Sequence, residues 1–119
     1  MTEPQAHRVR WTHGGTEVVK TFEQAPEAVL FWPRPPSILV LEPIVDGRLD
    51  NLAVFDLDGR ERLRIKPPQV VREPSWNRGF YAIYPSNGIL VTVFQTTVGG
   101  WWGDPDLETG ELRNVTPWR

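Results

Sequence analysis

The chain has 119 residues, 39% of them hydrophobic and 24% charged, which suits one domain with one hydrophobic core and is unlike a disordered chain. A formal net charge of -2 excludes a global field that would attract nucleic acid or an anionic membrane, and the absence of cysteine removes disulfides, thiolate metal sites and a cysteine nucleophile together. The polar first residues, Met1 to Arg10, carry no apolar stretch of the signal-peptide or bilayer-spanning kind, so cytoplasmic residence without membrane association is the expectation.

In chain order, Arg8 to His13 alternates, placing His7, Val9, Trp11 and His13 on one face, and Gly14-Gly15 turns the chain into Thr16 to Phe22. Residues 8–22 therefore read as an N-terminal hairpin. Glu23 to Trp32 admits one short helix or, through Val29-Leu30-Phe31-Trp32, a strand; Pro33, Pro35 and Pro36 end it either way. Ser37 to Val45 is apolar on both faces, the pattern of a strand covered on two sides, with Pro43 marking an edge, a bulge or an early end and Asp46-Gly47 starting the next turn.

Leu52 to Phe55, the turn Asp56-Leu57-Asp58-Gly59 and Arg60 to Lys66 form the clearest hairpin. Pro67 to Arg78 is proline-rich and polar, the longest expected loop. Gly79 to Tyr84 and Ile89 to Thr97 are strands joined by Pro85-Ser86-Asn87-Gly88, and Gly100 to Asp104 pairs with Glu111 to Val115 across Leu107-Glu108-Thr109-Gly110. FDLDGRERLRI and GDPDLETGELRNV repeat one order: acidic residues, a glycine turn, then alternating polar and apolar residues. The repetition reads either as successive hairpins of one meander or as two turns of similar composition.

The succession FDLDGRERLRI, GFYAIYPSNGILVT and DPDLETGEL resembles small bacterial proteins whose hairpins are similar to single blades of a quinoprotein-type β-propeller. Asp56 to Gly59 and Asp106 to Gly110 match the two turns of that pattern, and the resemblance covers about residues 37–113. It implies an all-β fold and transfers no catalytic residue. Some standalone domains of this size resemble immunity proteins, which neutralise a toxin by binding it.

No glycine-rich phosphate loop, His-Glu-x-x-His helix or Gly-x-Ser-x-Gly elbow is present, and His7 and His13 stand about 20 Å apart along a strand, too far to share a metal. Asp104, Asp106, Glu108 and Glu111 lack the ligand spacing of a calcium loop; they read as a solvated turn or as a negative patch for a basic partner. Arg60, Arg62, Arg64 and Lys66 alternate, so on a regular strand they form a cationic ladder opposite Leu63 and Ile65. That ladder is either an edge strand guarded by charge or a recognition surface for an acidic partner, which Arg72 and Arg78 extend. As an exposed face it should tolerate charge reversal of Arg62 and Arg64. Trp101 and Trp102 are adjacent and so face opposite sides of a sheet, leaving one ring outside a one-sided core; Trp76 and Trp118 are further aromatic anchors.

The expected fold is an all-β, single-domain antiparallel meander of about seven or eight strands, open, curled or barrel-like, with at most one short helix. Its parts are the hairpin at 8–22 and the main meander at 37–115. The expected function is that of a protein-binding module rather than an enzyme, without metal or cofactor: an immunity-like protein that neutralises a bacterial toxin through Arg60, Arg62, Arg64, Trp76, Trp101, Trp102, Asp104, Asp106 and Glu108. A small-ligand-binding β domain is the second reading and an enzyme the third.

Overall fold

Short apolar stretches punctuated by glycine and proline yield strands and turns throughout a computed structural model that describes residues 7–45 and 47–117. Asp46 of the expected Asp46-Gly47 turn, Trp118 and the first six residues of the polar start lie outside the described residues. The strands are β1 (Arg8–His13), β2 (Thr16–Thr21), β3 (Ala28–Pro33), β4 (Pro36–Leu41), β5 (Leu52–Phe55), β6 (Glu61–Ile65), β7 (Asn77–Ser86), β8 (Ile89–Thr96), β9 (Gly99–Pro105) and β10 (Leu112–Pro117), with a single 3-10 turn at Pro74–Trp76.

The all-β antiparallel class holds, but with ten strands among the described residues rather than seven or eight. One source of the difference is the ambiguous segment before the prolines. It is strand, not helix: Val29 pairs with Val40 and Phe31 with Ile38, and Pro33 and Pro36 close a tight turn instead of a loop. Strand pairing takes up the backbone groups that a helix would have used internally. The main meander accordingly starts before residue 37, and the expected loop is shortened because β7 begins at Asn77.

The strands do not form one curled sheet. They divide into the hairpin β1-β2 and two four-stranded sheets, ordered β3-β4-β5-β6 and β10-β9-β8-β7, each built from consecutive antiparallel neighbours. The two sheets are organised alike. The related segments noted in the sequence occupy the same place in each, the turn between the third and fourth strands. Asp56 N–H donates to the Arg60 carbonyl (2.8 Å) and Gly59 N–H to the Asp56 carbonyl (2.9 Å); Asp106 N–H donates to the Glu111 carbonyl (2.8 Å) and Gly110 N–H to the Asp106 carbonyl (2.7 Å).

Alternation along the central strands sorts the core into two layers. Leu39, Leu41, Leu52, Val54 and Ile65 meet Phe80, Leu90, Phe94 and Leu107 between the two sheets. On the opposite face, Ile38, Val40, Ala53 and Phe55 are covered by the hairpin through Val9, with Trp11 and Phe22 packed against them. The double-faced apolar pattern of Ser37 to Leu41 thus has its physical cause: β4 lies in the middle layer of three. The hairpin is fastened where Trp11 Nε1 donates to the Leu57 carbonyl (2.7 Å) and where Phe22 meets Phe55 edge to face at 6.1 Å. Gly59 admits it closely, since a Cβ there would stand 2.7 Å from Val18 Cγ1.

Between the sheets, a fully buried asparagine supplies the polar joint. Asn51 Nδ2 donates to the carbonyls of Glu42 (2.8 Å) and Phe80 (2.7 Å), while its Oδ1 accepts the Phe80 N–H (2.8 Å). β7 is the outermost strand of its sheet, so the side chain takes the place of a neighbouring strand's peptide along that edge. Gly79, at φ +104°, allows the approach; a Cβ would lie 2.9 Å from Asn51 Oδ1.

Asn51→Ala should therefore strand the Phe80 N–H and two carbonyls in the interior and lower stability by about 3 kcal/mol or more. Urea unfolding followed by tryptophan fluorescence should show a lower midpoint at unchanged slope.

Candidate protein-binding face

The arginines expected to form a ladder are separated by a β-bulge. The register of β5 and β6 shifts between Val54, opposite Leu63, and Phe55, opposite Glu61, so alternate residues of β6 no longer share one side. Arg62 donates to Asp56 Oδ1 (2.6 Å), Ser37 Oγ (2.9 Å) and the carbonyls of Pro36 (3.1 Å) and Leu107 (3.3 Å). Arg64 makes a two-pronged contact with the buried Glu42 carboxylate (3.0 and 3.1 Å) and reaches the Asp50 carbonyl (3.2 Å) and Glu61 (3.2 Å). The side chains of Arg62 and Arg64 are each 22% exposed, against 76% for Arg60.

Arg48 joins this network through an ion pair with Glu42 Oε1 (3.0 Å) and by donating to Asp50 (3.1 Å). Burial disfavours the charge on Arg64, but the carboxylates of Glu42 and Glu61 outweigh it and raise its pKa. Burial likewise opposes the charge on Asp50; hydrogen bonding and attraction from Arg48, helped by Arg64, hold its carboxyl below the usual range.

The acidic turn is a structural cap in the same way. Backbone N–H groups of Glu108 (2.9 Å) and Thr109 (3.3 Å) donate to Asp106 Oδ1. The Glu108 N–H is the principal cause of the lowered Asp106 pKa; desolvation opposes it, and Thr109 and Arg113 add smaller contributions that lower it further. Leu107 is buried in the core between the sheets. Its carbonyl receives Arg62, so the basic strand and the acidic turn, expected to serve alternative partners, touch each other inside the molecule. Glu108 is exposed at the turn.

The tryptophans divide as adjacency requires. Trp101 pairs with Phe94 and packs against the core, and Trp102 pairs with Val93 on the opposite side of the sheet. Trp76, half-buried in the 3-10 turn, is fixed between backbone bonds from its N–H to the Glu73 carbonyl and from Thr97 N–H to its own carbonyl, both 3.0 Å.

The side of the β7–β10 sheet that carries Trp102 has a coherent composition. Val91 and Val93 alternate with the core residues Leu90 and Phe94 and so lie on the other side of the sheet, where both are nonetheless buried, at 7% and 1% exposure; their partners across the strands are Tyr84, Ala82 and Trp102. Ile89, at the end of the same row, is 45% exposed. Asp104, paired in register with Arg113, adds charge beside them. The matching side of the β3–β6 sheet lies beneath the hairpin at Ile38, Val40, Ala53 and Phe55, with Val29 and Phe31 of edge strand β3 left exposed beyond it, whereas no third sheet of the described residues covers this one. Of the expected contact residues, this face brings together Trp102 and Asp104. It adds the half-buried Tyr84 and the exposed Ile89, with Val91 and Val93 buried between them, which sequence reasoning missed although Ile89 to Phe94 is nearly as apolar on both faces as the middle strand β4.

The chain matches no protein-family model, no curated protein and no solved structure. Among the described residues, no group of three His, Asp or Glu side chains is arranged to hold a metal, and no helix is long and apolar enough to cross a membrane.

Reversing both Arg62 and Arg64 to Glu should lower stability by about 3 kcal/mol or more, because Glu42 and Asp56 would lose their partners and face new like charges. Arg60→Glu, at an exposed position, should change it by about 0.5 kcal/mol or less. Thermal and urea melts of the two variants make the comparison.

Proposed function

We propose that the chain is a protein-binding module whose contact surface is the outer face of the β7–β10 sheet. The observation that carries this reading is the contrast between two similarly built sheets. One has its central and β5 outer residues covered by an aromatic-bearing hairpin, with β3 left exposed, and the other carries the half-buried Trp102 and Tyr84 and the exposed Ile89 around the buried Val91 and Val93, with no sheet of the described residues over them. An apolar patch centred on aromatic residues and rimmed by charge is the ordinary composition of a protein contact. The partner form we favour is a toxin whose active site is blocked by this face, as in immunity-type inhibition. A toxin gene directly upstream would support that form.

Affinity should concentrate at the centre of the face. Trp102→Ala should weaken partner binding by about thirtyfold, roughly 2 kcal/mol, with the thermal midpoint retained within a few degrees. Phe31→Ser, on the exposed outer side of edge strand β3 at 54% exposure, should bind as the parent does. The measurement is titration calorimetry against a protein captured by the parent chain. Loss of affinity in Phe31→Ser with none in Trp102→Ala would assign the contact to β3 and overturn the proposal.

A further inference from the structure

Sheet edges in this fold are guarded, with one exception among the described residues. β6 and β10 are each interrupted by a register shift, β7 carries register shifts and the Asn51 cap, and β1 and β2 bear Arg8, Arg10, Glu17 and Lys20. β3 has none of these devices. Its sequence, Ala-Val-Leu-Phe-Trp-Pro, holds no charged residue, and it pairs with β4 in unbroken register from Ala28 to Pro33. No strand of the described residues lies on its other side. The backbone groups turned away from β4 therefore offer a flat template for another strand.

The side chains along that edge are as open as the backbone. Val29 and Phe31, on the outer side of the sheet, are 48% and 54% exposed. Leu30 and Trp32 pack against the core from the other side but stay half-buried. A strand that continued the sheet would cover both rows at once.

We propose that β3 pairs antiparallel with β3 of a second copy, joining the two β3–β6 sheets into one continuous sheet about a twofold axis. An identical strand fits because the edge is self-complementary. Directly opposed residues of antiparallel strands share a side of the sheet, so the axis passes through a residue rather than between two. Placed at Leu30, it sets Val29 of each copy against Phe31 of the other on the outer side, and Ala28 against Trp32 on the core side. One step either way would bring Pro26 or Pro33, which lack an N–H, into the paired run. The antiparallel sense also brings the exposed Glu27 before each strand toward the exposed Arg34 after the other, whereas a parallel pair would set like charges together. β3 belongs to the first sheet and the proposed partner face to the second, so the two contacts are separate surfaces.

Sedimentation equilibrium of the full chain between about 1 and 500 µM should show a monomer–dimer equilibrium with a dissociation constant on the order of 50 µM, in keeping with a contact smaller than a standard interface. Phe31→Lys and Val29→Lys, both at exposed positions, should keep the parent's circular dichroism and weaken the dimer by at least about tenfold. Val19→Lys, at an exposed position of the hairpin, should leave it unchanged. The chain has no cysteine, so introduced single cysteines report the register. A mixture of Val29→Cys and Phe31→Cys should form mixed disulfides at least about fivefold faster than either variant alone forms its own, because like positions stand about 8 Å apart, beyond disulfide reach. A parent that stays monomeric throughout, lysine variants as dimeric as the parent, dissociation by Val19→Lys, or equal rates of like and mixed cross-linking would each overturn the proposal.

Discussion

One buried amide decides how the two halves of this molecule meet. Sheets that pack face to face through aliphatic side chains have attraction but little to fix their relative position, because apolar contact is not directional. Asn51 adds the direction. Its three hydrogen bonds tie the end of the β4–β5 connection to both polar groups of Phe80, and they form only when β7 lies at one height and one distance from the first sheet. Gly79 removes the side chain that would hold the strand away. The same bonds protect the outer edge of β7, which would otherwise be an open template for another strand.

With that joint in place, the charged residues become internal fittings. Arg62 clamps the β9–β10 turn through the Leu107 carbonyl and the β5–β6 turn through Asp56. Arg64, Glu42, Arg48 and Asp50 knit the opposite end of the first sheet into one network. The proposed contact surface is the side of the second sheet that has no hairpin over it.

The strand and turn pattern was legible because its signals are local. Asp-Gly, Asn-Gly and Thr-Gly turns separate alternating runs, and Leu52 to Phe55 and Ile89 to Thr96 fall where their composition puts them. The double-sided apolar pattern of Ser37 to Val45 implied a strand covered on both faces, which holds for Ser37 to Leu41 but not beyond Pro43, where Ile44 and Val45 are exposed outside the strand. The opposite faces of Trp101 and Trp102 followed from adjacency alone. The division into two sheets was not legible, since a meander and a pair of shorter meanders share the same local sequence; only the matching turns at Asp56 and Asp106 hinted at it. The arginine ladder misled because a bulge of one residue reverses the side on which later residues fall, and nothing in ERLRI marks the bulge. The role of Asn51 was equally hidden, because its partners are separated from it by 9 and 29 positions in the chain.

The most direct test of this arrangement is native-state hydrogen exchange at the Phe80 amide. An N–H on the outer edge of a terminal strand ordinarily exchanges through local fraying. Here it should exchange only with global unfolding, as slowly as Val40 or Val54 in the middle layer, because Asn51 accepts it within the buried joint. Exchange of Phe80 at the rate of an unpaired edge amide, with Val40 and Val54 still protected, would contradict the claim that Asn51 fixes the two sheets together.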